Sequence, residues 1–181
     1  MKNNSQLQYA YFSLPELIEV IHTDYFDTLS RLCSAAKVYI EKINSSSLSW
    51  DDVAYVKITE EIIRSVIDYI NRRRMVFIPY IQELVQKDTA GHNCSTCSGK
   101  CSLQHNARLI EFKMQLSQLK ENINPLIKAS LQIYKTTNHE DLITLNDEMD
   151  LIDYMVHELL LIEEGCLMPK IEEAQKSINA I

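Results

Sequence analysis

An all-α fold, specifically an antiparallel up-down-up-down four-helix bundle, follows from three features of the 181-residue chain. Apolar residues recur over long stretches at alternating three- and four-residue steps, the period of one helix face. Three glycines and four prolines supply too little turn material for an all-β chain. Short polar links join the periodic stretches, which lays successive helices side by side in opposite directions. With 46% hydrophobic residues the chain can bury one core, so residues 1–181 read as a single domain with a cysteine-rich loop at about 88–101.

The first helix starts at Ser13, where Ser13-Leu14-Pro15-Glu16 forms a capping box with proline in the first turn, and it runs to about Asn44. Its inward stripe is Leu14, Ile18, Ile21, Tyr25, Leu29, Leu32, Ala36, Tyr39 and Ile43, with Phe26 pointing partly inward. Serines 45–47 end it. Ser49 with Asp52 caps a second helix near Trp50, whose stripe of Ile62, Val66, Tyr69, Arg73, Val76 and Tyr80 contains one full charge. Pro79 kinks this helix without ending it, and the pattern continues to about Lys87.

A third helix begins at Cys101 or Ser102 and turns His105, Leu109, Phe112, Leu116, Leu119, Ile123 and Leu126 inward, with a bend at Pro125. Thr137 and Glu140 form a capping-box pattern for the fourth. Its stripe is Leu142, Leu145, Met149, Ile152, Val156, Leu159, Glu163 and Cys166; Pro169 bends the tail, which continues through Ile171 to Ile178. Arg73, His105 and Glu163 therefore stand where the stripes call for apolar residues.

A formal net charge of −7 argues against a nucleic-acid partner, and the one basic run, Arg72-Arg73-Arg74, is too short to reverse it. No 18 consecutive apolar residues occur and the start, MKNNSQLQYAYF, lacks a signal-type apolar run, so the expectation is a soluble cytoplasmic protein without a membrane partner. A protein partner or a second copy of the chain is compatible with the pattern. No phosphate-binding glycine loop, Ser-His-Asp order or zinc-protease motif appears, and no catalytic residue is named.

The stretch GHNCSTCSGKCSLQH, residues 91–105, gathers three of the five cysteines and two of the five histidines. In a reducing compartment such a cluster points to metal or thiol chemistry rather than to a disulfide framework. Cys94, Cys97, Cys101 and His105, with His92 in reserve, offer thiolate and imidazole ligands suited to one zinc, to copper(I) or to an iron–sulphur cluster. Redox-active thiols, with Cys94 and Cys97 as a disulfide pair, and an ordered loop without chemistry are the alternatives. Cys33 and Cys166 read as small buried hydrophobes, and His22, His139 and His157 as surface or capping residues.

Four segments, LPELIEVIHTDYFDTL (14–29), RRRMVFIPYI (72–81), SLQHNARLIEF (102–112) and LIEEGCLMPKI (161–171), together resemble the hemerythrin-like domain of the bacterial iron–sulphur cluster repair di-iron proteins. The resemblance implies a four-helix bundle whose interior holds two irons on histidines and carboxylates. The family's ligand positions fall on Phe26 in the first helix, Tyr69 and Arg73 in the second, His105 in the third, and Leu159 and Glu163 in the fourth. Only His105 and Glu163 keep the ligand type, and a further histidine between the first two helices has no counterpart. The expectation is that the di-iron centre is lost. The same correspondence brings Arg73 and Glu163 to one level near His105, which predicts a buried ion pair with His105 and Tyr69 as hydrogen-bond partners.

The function these readings predict is a metal- or redox-responsive binding protein acting through the cysteine-rich loop. The alternatives are a metal-free structural or protein-interaction bundle, and a persisting non-heme di-iron protein of iron–sulphur cluster repair or nitrosative and oxidative stress.

Overall fold

The computed structural model describes residues 8–43, 48–94 and 100–179, and over these the chain is helical, with no β-strand. Four long helices account for it. The first, α1 (14–43), consists of Leu14–Val20, a π-helical turn at Ile21–Phe26, and Asp27–Ile43. The second, α2 (50–89), consists of Trp50–Arg72, a π-helical turn at Arg73–Phe77, and Ile78–Thr89. The third, α3, is Lys100–Thr136. The fourth, α4 (140–179), consists of Glu140–Ile162, a π-helical turn at Glu163–Leu167, and Met168–Asn179. Serines 45–47 and Cys97 lie outside the described residues. No helix among the described residues is long and apolar enough to cross a membrane.

The starts of α1 and α2 follow from local sequence. Ser13 and Ser49 each accept a hydrogen bond from the backbone N–H three residues on, while the cap N–H of each donates to the carboxylate of Glu16 or Asp52. The start of α4 differs from the sequence expectation. His139, not Thr137, is the N-cap and makes no side-chain cap bond; the Thr137 hydroxyl accepts from the His139 N–H at 3.2 Å and so stops one residue short of the helix. Proline 125 lies inside α3, whose helix passes through it without interruption.

The π-turns are the main departure from the periodic reading. In each, an N–H bonds five residues back, Asp27 to the His22 carbonyl, Ile78 to Arg73 and Met168 to Glu163. In α2 and α4 a proline stands six residues after the first residue of the turn, Pro79 after Arg73 and Pro169 after Glu163. Proline has no N–H for the residue four back and its ring crowds that carbonyl, so the widened turn accommodates both. The widening also moves the stripe: Phe77 is buried in place of Val76, which is half-buried. In α1, Leu17, Cys33 and Ile40 are buried while Ile18, Leu32 and Tyr39 are only half-buried.

Helix α1 packs on α2 and α4, α3 packs on α2 and α4, and Ile78–Thr89 packs on Met168–Asn179. Along the α4 stripe every residue from Leu142 to Cys166 is buried as the period requires. Three tyrosines of α2 each meet a polar residue of α4. Tyr55 donates to Asn146 at 2.6 Å, Tyr69 donates to Glu163, and Tyr80 accepts from Gln175 at 2.5 Å. These rungs recur in the same chain order along both helices.

The caps make a direct test. Ser49→Ala removes the acceptor of a helical N–H and is expected to lower unfolding free energy by about 1 kcal/mol in urea denaturation. Thr137→Ala removes no helical cap and is expected to stay within about 0.5 kcal/mol of the parent.

Candidate functional site

Among the described residues, two clusters of titratable side chains stand out. The first is built where the π-turns of α2 and α4 face each other. Arg73 is 2% exposed and Glu163 is 0% exposed, and the Arg73 Nη2 lies 3.1 Å from Glu163 Oε2, with Nε 3.3 Å from both carboxylate oxygens. Nη1 donates to Gln115 Oε1 at 2.9 Å, and Nη2 also donates to the Tyr69 hydroxyl at 2.7 Å and to the Phe112 carbonyl at 3.4 Å. The hydroxyl of Tyr69 in turn donates to Glu163 Oε2. Rings of Phe112, Tyr69 and Phe77 cover the guanidinium, with its central carbon 3.9, 4.2 and 4.7 Å from their centroids.

Burial alone would lower the Arg73 pKa, but Glu163 and then Tyr69 outweigh it and the pKa is raised. For Tyr69, burial first and Glu163 second push the pKa well up, so the phenol keeps the proton it donates. Both Glu163 oxygens are taken by this network. At the other positions matched by the resemblance, Phe26, Tyr69, Arg73 and Leu159 are all buried.

His105 does not join this cluster, contrary to the expectation from sequence. Arg73 reaches α3 at Phe112 and Gln115, and the seven residues from His105 to Phe112 correspond to about 10 Å of helix. The imidazole packs instead on Tyr80, with ring centroids 5.6 Å apart, and the His105 carbonyl accepts from Gln175 Nε2 at 3.1 Å. Gln115 takes the partner role that His105 was expected to fill. Its signal was available in the sequence, since Phe112-Gln115-Leu119 is another three-four step beside the stripe.

The second cluster lies at the α2–α3 connection. Helix α2 ends in a Schellman turn: Gly91 adopts φ +64°, its N–H bonds the Asp88 carbonyl at 3.0 Å, and the His92 N–H bonds Lys87 at 2.9 Å. That reversal carries His92 and Cys94 back toward the first turn of α3. The Cys94 N–H donates to the Ile178 carbonyl of α4 at 2.8 Å, fixing the connection to a third helix. One ligand atom each of His92, Cys94 and Cys101 lies within 4.8 Å of the others, a spacing at which they can hold one metal ion. Lys87 sits at the edge, with Nζ 3.9 Å from the Cys101 sulfur and 2.6 Å from Glu83. Glu83 and then its own partial burial act on Lys87, whose pKa is raised, so the Lys87–Glu83 pair is fully ionised.

His105 flanks this cluster. Burial, then Lys87, lowers its pKa, which keeps the imidazole neutral. Lys87 and Glu83 are neighbours the sequence reading passed over; their i,i+4 spacing on the last turns of α2 was the available signal. No protein-family model, curated protein or solved structure matches the chain.

Removing one partner of the buried pair leaves a charge stranded, so Arg73→Met is expected to cost about 3–5 kcal/mol in equilibrium unfolding. The triple variant Arg73→Met, Glu163→Leu, Tyr69→Phe removes the charges and the orphan hydroxyl together, and is expected to recover most of that loss. Among the thiols, burial pushes Cys33 up to about 12, so mass spectrometry after native alkylation at pH 8 is expected to find it unmodified.

Proposed function

We propose that this protein is a metal- or thiol-responsive binding protein that uses the His92–Cys94–Cys101 cluster to hold a metal ion, zinc in the first instance. The observation that carries the reading is the convergence of three soft or borderline ligand atoms within 4.8 Å. They come from the connection after α2 and the first turn of α3, and Cys94 is tied by its backbone to α4. An ion there would join three helix ends. Oxidation of Cys94 and Cys101 to a disulfide, with two electrons passing to a peroxide or disulfide oxidant, would remove both sulfur ligands and release the ion, which gives the thiol response. A reducing, cytoplasmic setting suits this chemistry.

The scaffold we propose is a hemerythrin-like antiparallel bundle. Support comes from the order of cross-helix pairs: Lys113–Glu172, Lys120–Glu164 and Ser130–Asp150 run in opposite directions along α3 and α4, and the tyrosine rungs run in one direction along α2 and α4. On this reading Arg73 stands at the position of the lost di-iron ligands, since its guanidinium and Tyr69 engage both Glu163 oxygens.

A second reading, a metal-free interaction bundle, is favoured by exposed apolar residues near one end of α3 and α4. Ile127, Leu131 and Tyr134 on α3 and Leu151 and Tyr154 on α4 are all exposed, and the Tyr134 hydroxyl reaches Asp147 at 2.5 Å.

Elemental analysis of anaerobically purified protein separates the readings. About one zinc per chain is expected, and zinc at about 100 times its dissociation constant is expected to raise unfolding free energy by about 2.7 kcal/mol. Cys94→Ser with Cys101→Ser should abolish both effects. A metal-free protein whose stability ignores zinc would instead support the interaction bundle, and iron retained by that double variant would support a di-iron centre.

A further inference from the structure

Three imidazole nitrogens near the cysteine cluster have no hydrogen-bond partner among the described residues although they are shielded from water: His92 Nε2, His105 Nδ1 and His105 Nε2. His105 is the extreme case, 2% exposed with both ring nitrogens unsatisfied. A buried polar atom without a partner carries the full cost of its lost hydration, so an imidazole left this way calls for an acceptor of its lone pair or its proton. Tyr80 gives it a ring face and its hydroxyl is engaged by Gln175. The core trio, its other expected partner, is closed by Gln115.

Resting on the metal reading above, we infer that His105 is the fourth ligand of that site, making it a closed tetrahedral centre of two nitrogens and two sulfurs, His92, Cys94, Cys101 and His105. His105 follows Cys101 by one helical turn, so both side chains leave the same face of α3. Lys87 and Glu83 act electrostatically on its ring, and Lys87 also contacts the Cys101 sulfur. The His105 ring nitrogens lie outside the group of atoms within 4.8 Å of one another, so coordination requires the imidazole to move toward that group while Gln175 holds its carbonyl.

Charge agrees with this ligand set. Lys87 is already neutralised by Glu83 at 2.6 Å, so two thiolates balance one divalent cation, whereas a third thiolate would leave the site negative. Two imidazoles and two thiolates in tetrahedral array suit zinc and its surrogate cobalt(II), and disfavour copper(I), which prefers sulfur. Four protein ligands leave no position for a substrate or a reactive water. The ion would therefore organise structure rather than act as a Lewis acid.

Zinc-edge X-ray absorption on the full-length protein carrying one equivalent of zinc counts the donors without any variant. Two sulfurs and two nitrogens are expected; three sulfurs and one nitrogen would overturn the assignment in favour of Cys97. Competition with a chromophoric chelator gives the second measurement. Cys97→Ser is expected to bind zinc within about threefold of the parent, and His105→Gln about 100-fold more weakly. Parent-like zinc binding by His105→Gln would refute the fourth ligand while leaving a metal site at His92, Cys94 and Cys101 intact. Failure of the parent protein itself to bind zinc would sink both.

Discussion

A guanidinium can be buried at 2% exposure only where its N–H groups and its charge are both answered, and much of the middle of this bundle is arranged to do that for Arg73. Glu163 supplies the charge from α4, Gln115 and the Phe112 carbonyl supply acceptors from α3, and Tyr69 bridges guanidinium and carboxylate from one turn earlier on α2. Three rings take the place of water on its faces. Such a pair adds little stability over an apolar core, because desolvation offsets the attraction. Its consequence is register: sliding α4 by one turn would move Glu163 by about 5.4 Å and leave two buried charges unpaired.

The same level of the bundle holds the irregular backbone. Arg73 and Glu163 each open a π-turn, each followed by a proline at the same spacing. The widened turn accommodates the missing N–H and the ring of the proline, and it goes with Phe77 rather than Val76 turning inward. Phe77 in that position is one of the rings over the Arg73 guanidinium. The covalent limitation of proline thus feeds directly into the packing of a charge six residues away.

Much of this was legible in the sequence, for reasons that differ between elements. Strict three-four alternation located the α4 stripe without error because no break falls before Glu163, and the serine caps located two helix starts because their partners sit three residues on. Arg73 and Glu163 were visible as charges at apolar positions. The π-turns were not, since a straight 3.6-residue period carries no account of an inserted residue, although the matched proline spacings marked the two in α2 and α4. The level of His105 was taken from the family correspondence, since the stripe fixes only the face a residue points to, and the imidazole packs on Tyr80 instead of joining Arg73 and Glu163. The association of His92 with Cys94 and Cys101 depended on a reversal that only glycine at φ +64° allows without strain, and Gly91 was present in the sequence without its turn type being readable.

The position of the cysteine cluster decides what a bound ion could change. Cys94 lies in the α2–α3 connection and Cys101 in the first turn of α3, so an ion held by both would tie the connection to α3. The Cys94 N–H is bonded to Ile178, Ser177 to Asp88 at 2.6 Å, and Gln175 to Tyr80 and the His105 carbonyl. Tension at the ion is therefore passed to the last turns of α4 and to the Tyr80 rung. Further along, the Tyr69–Arg73–Glu163 network resists displacement, because any shift of α4 there would strand charge. On the proposed reading the metal response stays at one end of the bundle, and the ion pair at the middle is what confines it.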